Sequence, residues 1–114
     1  MKSQRKHPRI EGVFQVDLLN TGEDPSVPQS EAIVNATALD VSRQGMKLKV
    51  YYNAPVGALL SVIFYVGGAD SVCLAEVIWR REENEKTVYG LYTKEWSKLS
   101  PELEAMFAAV EKGA

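Results

Sequence analysis

The chain has one cysteine, Cys73, and one histidine, His7, among its 114 residues. A disulfide framework within the chain is therefore impossible, and a cysteine-based zinc site has too few ligands. A lone histidine also starves most metal-hydrolase and Ser-His-Asp chemistry of partners. No apolar run approaches the ~18 uninterrupted residues of a membrane-spanning helix. The N-terminus, MKSQRKHPRI, is polar with no apolar stretch behind it, unlike a secretory signal. No nucleophile–base pair, metal cluster or phosphate-binding glycine loop is legible, so no catalytic residue, no metal and no enzyme are expected. These shortages together point to a reducing cytoplasm.

What is present is ordinary in bulk and uneven in placement. Hydrophobic residues make up 46% and charged residues 25%, as in a globular chain that buries one modest core. The formal net charge of −2 hides an asymmetry. Lys2, Arg5, Lys6 and Arg9 give the first nine residues four positive charges and no acid. The remainder carries nine basic and fifteen acidic groups. A basic arm on an acidic body suggests a local anion contact and not a general nucleic-acid surface, which is basic over a whole face. A small barrel that binds single-stranded nucleic acid also needs exposed aromatics along a basic groove. Here the alternation places most aromatics inward, so no DNA or RNA partner is expected.

Hydrophobic alternation predicts the elements. Residues 1–10 read as an irregular arm, because Pro8 removes a backbone donor and biases His7 toward extended geometry. Phe14, Val16 and Leu18 fall on one face of a strand over 12–19. Residues 20–30, NTGEDPSVPQS, read as a loop. A strand over 32–41 has Leu39 and Val41 on one side and Ala38 and Asp40 on the other. Met46, Leu48 and Val50 alternate with Lys47 and Lys49 in the next. The nearly continuous apolar run Leu59–Val66 suits a strand buried on both faces or paired centrally. Gly67-Gly68-Ala69-Asp70 reads as a hairpin turn, followed by strands over 72–81 and 86–94 with a solvated tip at 82–85. Cys73 alternates with buried neighbours and reads as an inert core thiol.

The tail changes period. Ser100 is a good N-cap, Pro101 fits the first helical position, and Glu102 complements the helix N-terminus. Leu103, Met106, Phe107 and Val110 then form one apolar stripe. Six short strands followed by one helix predict an all-β fold: a small six-stranded antiparallel barrel with a C-terminal α-helix packed on it. The division is an arm over 1–10, a barrel over 11–97 and a helix over 98–112.

Two patterns can carry chemistry. Arg5-Lys6-His7-Pro8-Arg9 is an R-x-x-x-R on an extended arm, and Asp40-Val41-Ser42-Arg43-Gln44-Gly45 is a D-x-S-x-x-G at a strand end. Guanidinium is planar, always charged, and pairs bidentately with phosphate or with guanine O6 and N7. A carboxylate accepts from N–H donors on a ligand. Asp40 and Ser42, two apart on a strand, should leave the same face, held still by Leu39 and Val41 pointing inward. Gly45 permits a positive φ and close ligand approach. Trp79 suits rim packing or an exposed aromatic contact. Arg80 beside it reads as a surface charge.

Both motifs, in this order and spacing, resemble the PilZ domain, the bacterial receptor module for cyclic di-GMP. The resemblance continues through Gly45-Met46-Lys47-Leu48, through Ala75-Glu76-Val77-Ile78-Trp79-Arg80 as its A-x-V-x-W strand, and through Tyr89-Gly90-Leu91-Tyr92 as its closing strand. A single PilZ domain over 4–112 is the expectation. The resemblance implies a six-stranded barrel with a C-terminal helix, no catalytic activity, no cofactor, and cyclic di-GMP as ligand. It implies Arg5 and Arg9 on phosphate and guanine, and Asp40, Ser42 and Gly45 at guanine and nearby backbone, with Trp79 and Gln4 as further contacts. Many family members carry an additional arginine immediately before the R-x-x-x-R, associated with a stacked pair of ligands. Gln4 stands there instead, which favours a single ligand. No output domain is expected ahead of Arg5. The implied function is a stand-alone receptor whose arm changes conformation on binding and is read by a downstream protein. The alternative is a PilZ-like adaptor that works through protein contacts and binds no nucleotide.

Overall fold

A computed structural model describes residues 8–20, 32–51 and 54–113. Six strands precede one helix: β1 (Ile10–Asn20), β2 (Ala32–Val41), β3 (Gly45–Val50), β4 (Leu59–Val66), β5 (Ala69–Glu83), β6 (Lys86–Lys98) and α1 (Pro101–Lys112). They close into an antiparallel barrel in the order β1-β2-β3-β6-β5-β4, with β4 returning to β1. Closure gives every strand two neighbours and removes the unpaired edges that such short strands would otherwise present. The all-β barrel with a C-terminal helix expected from the sequence is the observed architecture.

Alternation fills the interior. Val16 and Leu18 of β1, Met46, Leu48 and Val50 of β3, and Leu60, Val62 and Phe64 of β4 are buried in one cluster. The β4 run is paired centrally but is not buried on both faces. Its second face carries the half-buried Ile63 and the exposed Tyr65, so the continuous apolar stretch conceals an ordinary inside and outside. Cys73 is a buried free thiol, and burial pushes its pKa up to about 12, so it stays protonated at neutral pH.

Both hairpin strands run longer than the sequence suggests. β5 begins at Ala69, and the preceding turn is Gly67-Gly68 alone, with φ 70° and 80°, the left-handed pair that a two-residue hairpin requires. At the other end Arg81, Glu82 and Glu83 remain paired with β6, so the tip contracts to Asn84-Glu85. β6 continues to Lys98, and the helix starts at Pro101 behind the Ser100 N-cap, as the capping signals predict. β1 starts at Ile10, inside the stretch read as arm, because Ile10 is buried in the core opposite Val41.

Helix α1 is held at its N-cap, Ser100. The Ser100 hydroxyl accepts from the Leu103 amide at 3.2 Å, and the Ser100 amide donates to the Ser71 hydroxyl at 2.8 Å. Leu103 and Phe107 are buried, with Met106 and Val110 packed beside them, as the stripe predicts. Phe107 meets Trp96 at 5.6 Å between centroids, and Trp96 meets Phe64 at 5.8 Å, which joins the helix to the barrel core.

Candidate functional site

A bulge in β2 sets up the site. Ala38 pairs with Leu48 but Asp40 pairs with Lys47, so one extra residue of β2 opposes β3. The alternation read from the sequence therefore breaks at Leu39. Ala36 and Ala38 line the core, Leu39 is only half-buried, and Val41 returns inward. Asp40 is delivered to the outer face, yet it is only 7% exposed, because two cations cover it. Arg9 donates to its Oδ1 at 2.5 Å, and Lys47 Nζ stands 3.9 Å from Oδ2.

Arg9 and Asp40 are thus brought together from positions 31 residues apart. The arm motif and the turn motif meet through this pair. Arg5 and Gln4 lie outside the described residues.

Ser42 takes a different part from the one its spacing suggests. β2 ends at Val41, so Ser42 opens a turn and is not a strand neighbour of Asp40. Its hydroxyl accepts from the amides of Gln44 and Gly45, both at 3.2 Å, and donates to the Gly45 carbonyl at 3.2 Å. The Ser42 amide donates to the same carbonyl at 2.8 Å. The hydroxyl is spent on shaping the turn, as local Ser side chains commonly do.

Gly45 is not among the positive-φ glycines, so the left-handed turn expected there is not the reason for it. The reason is close approach: a Cβ on Gly45 would lie 2.6 Å from the Leu91 carbonyl oxygen of β6. Trp79 is 37% exposed, and its ring lies on Gly90, whose missing side chain makes the space. A second bulge, between the Val77–Leu91 and Trp79–Gly90 pairs, turns both Ile78 and Trp79 outward. Tyr92, next along β6, is exposed as well. With Tyr51 and Tyr65 also exposed, four of the nine aromatics among the described residues face outward, while Phe14, Phe64, Tyr89, Trp96 and Phe107 pack in or against the core. Arg80 is less a surface charge than expected: it donates to the Ala54 carbonyl at 2.9 Å and stacks over Tyr89.

Sequence reasoning gave no role to Arg43, the variable residue inside D-x-S-x-x-G. Its guanidinium grips Glu104 of α1 with two hydrogen bonds, at 2.6 and 2.8 Å, and Glu111 with a third at 2.6 Å. It also lies over Phe107, while its carbonyl accepts from the Trp96 indole at 3.1 Å. These acids push the Arg43 pKa up, through hydrogen bonds to Glu104 first and Glu111 second. In return Arg43 holds the Glu104 carboxyl below the usual carboxylate range. The only signal in the sequence was Glu104 and Glu111 seven apart, on one helix face.

The PilZ domain family model matches residues 3–109. The chain belongs to the PilZ domain family. PilZ domains are a family of cyclic di-GMP receptors, typically without catalytic activity. No curated protein matches this PilZ chain in sequence. Solved structures share its fold. One is the Bacillus subtilis inhibitor of motility, MotI/DgrA, at TM-score 0.70 and 15% identity, covering 98% of this chain and 52% of that one. This chain spans about half the length of that protein. Another is the PilZ domain of CeSA from a cellulose-synthesizing bacterium, at TM-score 0.54 and 19% identity, covering 92% of this chain and 95% of that one. Among the described residues no group of three or more His, Cys, Asp or Glu is placed to hold a metal, and no helix is long and apolar enough to cross a membrane.

Proposed function

We propose that this PilZ domain is a cyclic di-GMP receptor, with its ligand seated on the outer face at Asp40. The observation that carries the reading is the Arg9–Asp40 pair, which joins R-x-x-x-R to D-x-S-x-x-G between the neighbouring strands β1 and β2. A guanine offers N1–H and N2–H₂ to the Asp40 carboxylate, and a phosphate offers Arg9 a charge-assisted partner in exchange. Arg5 and Gln4 close over the ligand with the arm. Trp79, exposed at the surface with the Arg81 guanidinium 5.6 Å from its ring centroid, offers its ring to the second base once that arginine turns aside. Ser42 and Gly45 act through shape: one fixes the turn, the other lets β6 approach. The protein performs no chemistry on the ligand. Binding reorders the arm, and a partner protein in the cytoplasm reads the altered face.

Calorimetric titration with cyclic di-GMP, using cyclic di-AMP as control, tests this. Saturable binding of cyclic di-GMP with a measurable preference over cyclic di-AMP is expected, weakened by added salt because the contacts are ionic and partly exposed. A second reading, an adaptor that binds no nucleotide, is favoured by one feature: Ile78, Trp79 and Tyr92 are exposed together on β5 and β6. The absence of any heat with cyclic di-GMP would select it.

A further inference from the structure

We propose that Lys47 is a further ligand contact, the residue that holds a phosphodiester between the Asp40 end of the site and the Trp79 platform. The inference rests on the cyclic di-GMP reading above and adds a residue to it.

Register puts Lys47 in the middle. One cross-strand row runs Asp40 on β2, Lys47 on β3, Gly90 on β6 and Trp79 on β5. Paired residues point to the same side of a sheet, and adjacent strands lie about 4.8 Å apart. The Trp79 ring folds back onto Gly90, so the aromatic surface begins beside Lys47. A cyclic dinucleotide has its two phosphates between its two bases. With one base at Asp40 and the other on Trp79, the span between them crosses Lys47.

Charge gives the second argument. Asp40 is one carboxylate shared by two cations, and Arg9 holds it at 2.5 Å while Lys47 stands off at 3.9 Å. Further along the same face Lys49 and Arg81 share Glu83, at 3.2 and 2.9 Å. Lys47 is therefore the cation whose acid is already taken by a closer partner. Glu11, the exposed acid opposite Asp40, stands on β1, on the side away from Lys47. On a body that is acidic as a whole, this strip is left with unneutralised positive charge beside an aromatic surface. That combination suits a planar-based anion. Because Lys47 is half-buried and its ammonium is only loosely held, it can turn to a ligand without breaking a short ion pair.

Lys47→Ala, Lys47→Arg and Lys49→Ala, compared with wild type, test the inference by titration with cyclic di-GMP and cyclic di-AMP at several salt concentrations. Lys47→Ala is expected to weaken cyclic di-GMP at least tenfold, to flatten the salt dependence, and to leave the ratio between the two ligands unchanged, since a phosphate contact is blind to the base. Lys47→Arg should recover to within about threefold of wild type, and Lys49→Ala should bind like wild type. Cyclic di-GMP binding by Lys47→Ala within twofold of wild type overturns the inference while the receptor reading stands. So does a collapsed ligand ratio that Lys47→Arg fails to restore, which would make Lys47 a support for Asp40 only. A wild-type protein that binds neither ligand removes the receptor reading, and this inference with it.

Discussion

Two arginine–carboxylate clusters flank the same turn, and they are built in opposite senses. On the outer face one carboxylate, Asp40, sits between two cations, Arg9 and Lys47. On the helix side one guanidinium, Arg43, sits between two carboxylates, Glu104 and Glu111. The first arrangement leaves positive charge over and is open to an anion. The second is occupied by the protein itself: the guanidinium bonds both acids and lies over Phe107, while the Arg43 carbonyl accepts from the Trp96 indole. Residues three apart in one motif thus meet opposite surroundings, two cations on one side and two helix carboxylates on the other.

The largest expected break in that contrast is Arg9→Ala. Loss of a desolvated, charge-assisted contact typically costs ~2–5 kcal/mol, or roughly 30- to several-thousand-fold in affinity. Titration with cyclic di-GMP should show it, and binding within threefold of wild type would end the assignment of Arg9 as a ligand residue. Stability without ligand should fall too, by about 1–2 kcal/mol, because Asp40 loses its closest hydrogen-bond donor. Chemical denaturation measures that part.

Asp40→Ala should act on choice of base more than on charge. Preference for cyclic di-GMP over cyclic di-AMP should drop about tenfold, within the ~1–3 kcal/mol of a good base-edge pair. An undiminished preference would mean that Asp40 only anchors Arg9.

Arg43→Ala should do the reverse. The thermal midpoint should fall by a few degrees, since α1 loses three hydrogen bonds and a stacked cation, while the ratio of the two ligands stays put. A changed ratio would show that the two clusters are coupled through the turn.

The smallest effect is pH-dependent and belongs to the helix side. Arg43 depresses the Glu104 pKa, so this contribution is complete above the ordinary carboxylate range and is lost as pH falls through the depressed folded value. Melting curves taken down through that range should lose more stability in wild type than in Arg43→Ala. Parallel curves would deny the Arg43–Glu104 pair any part in acid sensitivity.

How much of this was legible follows from separation along the chain. The strands announced themselves by period-2 alternation, and the Ser100 cap and the 103/106/107/110 stripe fixed the helix, because those signals lie within a few residues. The bulges at Leu39 and at Ile78 did not, since an extra residue is visible only against its partner strand. For that reason Leu39 was misplaced inward and Ile78 and Trp79 were not recognised as an outward pair. The placing of Ser42 on a strand beside Asp40 fails for a related cause: β2 stops at Val41, and where a strand stops is set by its pairing.

By itself the sequence determined an all-β barrel with one helix, and it determined which motif residues bear charge, because both follow from local pattern and side-chain chemistry. The tertiary structure alone decided what each charge meets. The pairing of β1 with β2 brings Arg9 to Asp40 across 31 residues, and the helix brings Glu104 and Glu111 to Arg43 across 61 and 68. No local rule sets those distances. They follow from strand register, from the bulge that turns Asp40 outward, and from the buried Phe107 that fixes where α1 lies.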